Sequence, residues 1–286
     1  MPTKSKAKKL DTLVEDIYGV FENYVEPSQK DLNTFAKNLA ETIRSRIVER
    51  REGKQSLRLS QIGTPIRKLW YSIKDTNQPT LSGKDRLKFL YGDILEELLL
   101  LLIKTAGHKI EDEQKEVQID GVVGHQDCRI DGIVTDIKSA SSFAFKKFKD
   151  GSLINGNDPF GYIPQISAYA EAQGENSAAF LVINKENADL HVLDVDFFDM
   201  IHVPDRIKTI KEVIQNDKPP EKCFEDEAEG VSGNRVLSIN CSWCPYKFPC
   251  WSDSNNGHGL RIFDYAKGKK YFTKVVKEPN VKELSC

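Results

Sequence analysis

Residues 122–139 read VVGHQDCRIDGIVTDIKS and set the architecture that we expect for this chain. Val, Ile and Thr recur at a spacing of two, which is typical of strands. Asp131-Gly132 is a strong turn signal and predicts a hairpin that folds the strand after Asp127 back on the strand that follows. Side chains two apart on a strand face the same side, so Asp136 and Lys138 project together. These residues predict two carboxylates and an ammonium at one place on a sheet.

Helical patterns surround these strands. Apolar residues at helical spacing predict helices over 10–21, 28–47, 65–73, 84–106, 143–148, 162–173 and 197–216. Period-two patterns and apolar runs predict strands over 117–119, 122–124, 130–138, 178–184 and 191–195. This order predicts an α/β protein with a helical N-terminal region, a sheet flanked by helices and a small C-terminal Cys-rich module.

Length and composition are those of a globular protein. The chain has 286 residues, 39% of them apolar, which is enough for one large domain or two small ones. Its longest apolar run, residues 98–103, is far shorter than the roughly 20 residues needed to cross a bilayer, and no charged-then-apolar leader opens the chain. We therefore expect a cytoplasmic protein.

The formal net charge of -2 looks unfavourable for a nucleic-acid-binding protein, because Lys and Arg supply much of the affinity for phosphates. An average can hide a basic patch, however, and an acidic centre that holds cations needs basic residues around it. Basic residues are concentrated in the first quarter of the chain: Lys4, Lys6, Lys8, Lys9, Arg44, Arg46, Arg50, Arg51, Arg67 and Lys68. A solvated helix face or tail is the alternative interpretation.

The acidic residues and the lysine of the hairpin suit phosphodiester hydrolysis. Carboxylate oxygens bind Mg²⁺, the cation polarises a phosphoryl oxygen and activates a water, and a lysine orients or activates that water. Asp-x-Lys alone is a weak signal, because an exposed strand can carry an ion pair across two positions. Here other residues of the same kind of site accompany the Asp-x-Lys motif. Asp127 precedes it, and Gly92 and Glu96 lie upstream on a helix. Gln165 and Tyr169 follow on one face of a later helix.

This ordered series, over residues 60–252, resembles the RecB-type branch of the PD-(D/E)XK nucleases, which includes CRISPR-adaptation nucleases and many bacteriophage exonucleases. The resemblance implies a restriction-endonuclease-like core with a central mixed sheet. It implies ligands for Mg²⁺ or Mn²⁺ at Glu96, Asp127 and Asp136, a water-positioning Lys138, and a pair that holds the scissile strand, Gln165 and Tyr169. Asp131 could replace Asp127, and Glu97 could replace Glu96, but the turn at Asp131 and the Gly92 spacing favour the first choices.

On this basis we expect a disordered basic tail over 1–9, a helical N-terminal region over 10–80, a nuclease core over 81–218, a Cys-rich module over 219–252 and a C-terminal tail over 253–286. The implied function is a metal-dependent exonuclease acting on DNA ends, single-stranded DNA in particular, in recombination, repair or replication. A bacterial or phage origin and a replication or recombination protein as partner go with it. The alternatives are a structure-selective endonuclease for junctions or flaps and a non-catalytic nucleic-acid-binding module.

Three of the six cysteines, Cys241, Cys244 and Cys250, fall within ten residues. In a cytosolic chain such clustering favours a metal site over disulfides, and four ligands are usual. Cys223 is the nearest candidate for the fourth and is our choice over Cys128 and Cys286.

The resemblance implies a [4Fe-4S] cluster on these cysteines. In the relatives, however, one cysteine precedes an Arg-Lys-Leu-Trp helix, where this chain has Ile66. Zinc is the alternative metal, and unrelated buried cysteines are the third interpretation. In that helix we expect Arg67 and Lys68 to contact single-stranded DNA beside Trp70 and Tyr71, although Trp70 suits a core equally well.

Overall fold

The computed structural model describes residues 8–48, 56–74 and 82–285. The chain divides into two compact units, the first formed by 1–63 and 80–210 and the second by 64–79 and 211–286. This division differs from the boundaries expected at 80 and 218, because residues 64–74 belong with the C-terminal residues rather than with the N-terminal helices. Residues 1–7 of the expected basic tail and Cys286 lie outside the described ranges.

The first unit is built on a mixed sheet of five strands. The strands described in the first unit are β1 (Ile110–Glu111), β2 (Glu116–Ile119), β3 (Val122–His125), β4 (Cys128–Ile130), β5 (Ile133–Ala140), β6 (Ser177–Asn184) and β7 (Leu190–Asp196). The sheet has the order β1-β4-β5-β6-β7, in which β5 and β6 are parallel and the other pairs antiparallel, while β2 and β3 form a separate hairpin. The expected α/β class with a central mixed sheet flanked by helices is confirmed.

Helices cover both faces of this sheet. In the described ranges the α-helices are α1 (Leu13–Glu22), α2 (Gln29–Val48), α3 (Ile66–Lys74), α4 (Gly83–Thr105), α5 (Ser142–Lys149), α6 (Tyr162–Ala172), α7 (Val203–Gln215), α8 (Ile239–Ser242), α9 (Lys247–Cys250) and α10 (Ser254–Gly257). On one face, Ile17 of α1 and Ile103 of α4 pack against Ile137 of β5. On the other, Phe148 of α5 packs edge-on against Phe180 of β6, with 5.5 Å between ring centroids. No helix in the described ranges is both long and apolar enough to cross a membrane.

Two-residue turns fix the register of the hairpins. Asp131 and Gly132 have φ values of 50° and 89°, and Ile130 pairs with Ile133 across the turn. Two consecutive positive φ values define the type I′ turn, whose twist matches that of antiparallel strands. The predicted hairpin is therefore confirmed.

The helix predicted over 197–216 begins later than expected. Residues 197–199 form a single 3₁₀ turn, and α7 begins at Val203. Pro204 explains the difference, since proline lacks an amide hydrogen and suits the first turn of a helix rather than its interior.

The second unit contains an antiparallel sheet of its own. Its strands are β8 (Asp226–Glu229), β9 (Asn234–Leu237), β10 (Arg261–Tyr265), β11 (Gly268–Lys274) and β12 (Glu283–Leu284), in the order β12-β10-β11-β9-β8. Three of them lie in 253–286, where the sequence suggested a charged tail. Phe263 and Phe272 explain the difference, because both rings are buried in edge-on contact, 4.9 Å apart, while exposed lysines on β11 mask the strand pattern.

Candidate functional site

The hairpin β4–β5 places a buried carboxylate beside a lysine. Asp136 lies in the middle of β5, opposite Phe180 of the parallel strand β6, and is completely buried. Lys138 Nζ lies 2.5 Å from Asp136 Oδ2. That oxygen has no hydrogen-bond partner among the described residues, so the contact is an ion pair rather than an aligned hydrogen bond. The side chains two apart on β5 therefore meet as the sequence predicted.

Asp127 is held next to this pair by the backbone of the same hairpin. Its Oδ2 accepts a hydrogen bond of 2.8 Å from the amide of Ile137. Burial raises the pKa of Asp127 to about 7, and the negative charge of Asp136 adds to the effect. The negative charge of Asp136 therefore disfavours ionisation of Asp127.

Glu96 brings a third carboxylate to the same place from α4. Its Oε1 accepts a hydrogen bond of 3.0 Å from Gln114 Nε2. Burial, together with the negative charges of Asp127 and Asp136, raises the pKa of Glu96 to about 9. We call Glu96, Asp127 and Asp136 the carboxylate cluster. Asp136 is buried and the other two are half-buried, so three acidic groups with raised pKa values need a proton or a cation among them.

Lys138 supplies a positive charge to this cluster. Burial alone would lower the pKa of Lys138, but the neighbouring charges of Asp136 and Asp127 outweigh it, and the pKa is raised. The Nζ atom also lies 5.3 Å from the centre of the Tyr162 ring. Lys138 therefore stays an ammonium, which can donate hydrogen bonds and stabilise negative charge but cannot accept a proton.

Gln165 and Tyr169 lie one turn apart on α6, and Gln165 contacts both Tyr169 and Asp136. Gln165 Nε2 lies 3.2 Å from Asp136 Oδ1 and 3.3 Å from the Tyr169 hydroxyl. Tyr169 is only 2% exposed. At this depth Tyr169 positions Gln165, and the strand-holding role that the resemblance implied for the pair stays a prediction.

The two alternative carboxylates have other partners. Asp131 Oδ2 lies 2.6 Å from Nδ1 of the buried His108. Burial raises the pKa of Glu97, whose side chain is hydrogen-bonded to Asn38. The structure thus brings the first choices, Asp127 and Glu96, into the carboxylate cluster and places Asp131 and Glu97 elsewhere.

The start of α6 is fixed by residues that sequence reasoning missed. Asp158 accepts hydrogen bonds of 2.8–2.9 Å from three amides, those of Gly161, Tyr162 and Ile163. Gly161 has a φ of 75°, and a Cβ atom added there would lie 2.4 Å from the backbone of Gly63. The segment Asp-Pro-Phe-Gly ahead of a helical pattern was the available signal. These contacts set where α6 presents Gln165.

The four predicted cysteine ligands all belong to the second unit. Cys241 is buried in an apolar cluster with Leu237, Trp251 and Leu260, against which Cys250 also packs. Burial raises the pKa of both Cys244 and Cys250, and in each case the charge of Cys241 contributes. The charge of Cys241 thus acts on both of the other sulfurs. The other candidate, Cys128, lies in the core of the first unit.

Arg67 links Cys223 to this group. The Arg67 backbone amide lies 3.4 Å from Cys223 Sγ, and its Nε lies 3.1 Å from Cys250 Sγ. Its guanidinium also donates to the carbonyl oxygens of Pro220 and Cys250. These contacts place Arg67 beside the cysteines, and its expected contact with DNA stays a prediction. Lys68 is exposed, and its DNA contact stays a prediction.

Neither the carboxylate cluster nor the cysteines form a complete metal shell in this conformation. Across the three described ranges, no group of three or more His, Cys, Asp or Glu side chains has the arrangement of a metal site. The donor chemistry of the carboxylate cluster nevertheless fits a hard divalent cation, because it offers buried oxygens of excess negative charge, one of them without a hydrogen bond.

Comparisons with known proteins give a limited result. No protein-family model and no curated protein matches the chain. Among solved structures, it is similar to SSO0001, with 15% identity and a TM-score of 0.42, over 74% of this chain and 93% of that one. It is also similar to an alkaline exonuclease, LHK-Exo, from Laribacter hongkongensis, with 11% identity and a TM-score of 0.32, over 56% and 90% of the two chains. Neither likeness bears on what this chain binds or catalyses.

Proposed function

We propose that this chain is a deoxyribonuclease that requires a divalent cation and removes nucleotides from DNA ends, single-stranded ends in particular. The observation that carries the proposal is the fully buried Asp136, paired with Lys138 and placed beside Asp127 and Glu96. Burying so many charges is costly, and apolar residues of similar volume would often stabilise a core at least as well. Strongly shifted pKa values in such a group favour a catalytic role.

The carboxylate cluster would hold Mg²⁺ or Mn²⁺. When bound, such a cation would polarise a phosphoryl oxygen and make a water molecule a better nucleophile. The buried position of Asp136 beside Lys138 and the mutual repulsion within the cluster support this assignment.

The other side chains act through hydrogen bonds and charge. Lys138, as an ammonium, would donate to a phosphate oxygen and stabilise the negative charge that develops on it. Gln165 holds Asp136 Oδ1, and Tyr169 in turn holds Gln165. Asp127 is oriented by the Ile137 amide. Each acidic residue is thus held in place before substrate arrives.

The test is hydrolysis of end-labelled single-stranded DNA in Mg²⁺ and in EDTA. We expect degradation in Mg²⁺ and none in EDTA, and we expect Asp136→Asn and Lys138→Met to lose roughly 10²–10⁴-fold in rate. Lys109→Met is the matched control, since Lys109 is an exposed lysine in an ion pair of 2.6 Å with Glu111. Full activity of both site variants contradicts the proposal.

The same assay separates the alternatives. A circular single strand stays intact with an exonuclease and is cut by an endonuclease, such as a junction or flap cutter. A non-catalytic binding module would retain DNA in EDTA and cleave none at any concentration of metal. Roles in recombination, repair or replication, a bacterial or phage-host cytoplasm and a protein partner from those processes remain part of the proposal.

We further propose that Cys223, Cys241, Cys244 and Cys250 bind a [4Fe-4S] cluster, with Zn²⁺ as the alternative. The packing of Cys250 against the cluster that holds Cys241 and the contacts of Arg67 to Cys223 and Cys250 support this. Such a site would link α3 to the irregular chain around α8 and α9. An absorbance band of thiolate-bound iron identifies the cluster, a zinc assay identifies the alternative, and metal-free protein with unchanged stability in Cys244→Ser excludes both.

A further inference from the structure

An exposed aromatic ring lies beside the catalytic lysine. Phe160 precedes α6 and is 65% exposed. Its ring stacks on Tyr162, with centroids 5.5 Å apart and an angle of 30° between the planes. Tyr162 in turn lies 5.3 Å from Lys138 Nζ. Two successive contacts therefore join a solvent-facing ring to the centre where we place the scissile phosphate.

This ring is held in position rather than loosely attached. Asp158 binds the amides of Gly161 and Tyr162, and Gly161 is packed on the backbone of Gly63. Tyr162 is fixed from behind by Phe148, with centroids 5.8 Å apart. The fold thus presents a large apolar face to water on a rigid turn, where a polar residue would be less costly.

The same loop carries a positive charge at its surface. Lys147 of α5 donates a hydrogen bond of 2.8 Å to Asn157, three residues before Phe160. Its Nζ atom also lies 5.4 Å from the ring of Phe143, which is itself largely exposed. Aromatic faces mixed with lysine are the usual means of binding a single strand, since every base has a face that can stack and every nucleotide has a phosphate.

We propose that Phe160 is a stacking platform for an unpaired base of the nucleotide next to the scissile phosphate. Tyr162 supports the platform from below and links it to Lys138. In duplex DNA the faces of the bases are occupied by their neighbours, so the platform selects a single strand or a frayed end. This inference rests on the proposed function and specifies its substrate.

The experiment measures binding apart from hydrolysis. The full-length protein is titrated with a fluorescein-labelled single-stranded oligonucleotide in EDTA, and the titration is repeated with abasic oligonucleotides whose gap moves one position at a time. We expect Phe160→Ala to weaken binding of the intact oligonucleotide roughly 5- to 100-fold and Phe160→Trp to retain it. One abasic position should cause the same loss in the wild type and no further loss in Phe160→Ala.

Phe198→Ala is the matched control, because Phe198 is 93% exposed in the same unit and its ring contact is with Phe197. Equal affinity of Phe160→Ala and the wild type for the oligonucleotide overturns the platform, and this is the result expected if the exposed ring serves a protein partner instead. Failure of the wild type to bind single strands also overturns it. Hydrolysis in Mg²⁺ is scored separately. If Phe160 contributes to binding but the protein hydrolyses no DNA, the nuclease proposal alone is overturned. If the protein hydrolyses DNA and Phe160→Ala leaves KM unchanged, the platform alone is overturned.

Discussion

Replacing Gly161 by alanine tests whether the contact between two glycines sets the geometry of α6. A Cβ at Gly161 meets the Gly63 backbone at 2.4 Å, and the φ of 75° is unfavourable for any residue with a Cβ. The left-handed conformation costs roughly 1 kcal/mol. Overpacking adds roughly 1–3 kcal/mol, because backbone atoms cannot rotate away as a side chain can. We expect Gly161→Ala to lower the free energy of unfolding by roughly 3 kcal/mol.

Two other glycines separate these contributions. Gly174 has a φ of 70° with open space around it, so Gly174→Ala should cost no more than roughly 1 kcal/mol. Gly63→Ala recreates the clash from the opposite side, 2.3 Å from the Gly161 carbonyl oxygen, without the φ penalty. Urea denaturation followed by circular dichroism measures all three variants. Equal midpoints for Gly161→Ala and Gly174→Ala refute the reasoning.

Three further predictions concern single side chains. Asp158→Ala removes the acceptor of three amides and should lower the free energy of unfolding by roughly 2 kcal/mol, whereas Asp158→Asn, which keeps one oxygen, should lose less in the same urea titration. Without divalent cations, stability should fall as pH rises from 4.5 towards 9, because the unfolded chain releases a proton that folded Glu96 keeps; thermal melts of Glu96→Gln should show a smaller fall, to which Asp127 still contributes below about pH 7, and an equal slope argues against the raised pKa of Glu96. His108→Leu leaves the carboxylates of Asp131 and Asp16 without the imidazole that lies 2.6 Å and 3.1 Å away, and should cost roughly 2 kcal/mol; an unchanged melting temperature contradicts this.

Local sequence signals predicted the centre of the molecule well. The Asp131-Gly132 turn and the spacing of two on β5 depend on neighbouring residues alone, and both are confirmed in the structure. The meeting of Asp136 and Lys138 follows directly from that spacing. Helix α4 ends where Gly107 predicts, because that glycine adopts a φ of 85°.

Features that depend on distant residues were not predictable in the same way. The depth of Tyr169 depends on how α6 packs against the sheet, which no pattern within the helix encodes. The role of Arg67 depends on Cys250, 183 residues away in the chain. The strands after residue 260 were missed for a local reason, because the exposed lysines of β11 lower the average apolarity. For Tyr169 and Arg67 the deciding contacts join residues that are far apart in sequence.

The discontinuity of the second unit has a consequence for biosynthesis. Tyr71 on α3 stacks on Tyr246, and the indole nitrogen of Trp70 donates to the carbonyl oxygen of Asn216. When the ribosome has made the first unit in full, α3 has emerged without these partners. Its apolar side stays unpacked until the last quarter of the chain is translated. A protein truncated after residue 210 would lack these partners, and the apolar side of α3 would stay exposed. We therefore expect the truncated protein to aggregate more readily than the full-length protein, although it retains the sheet of the first unit.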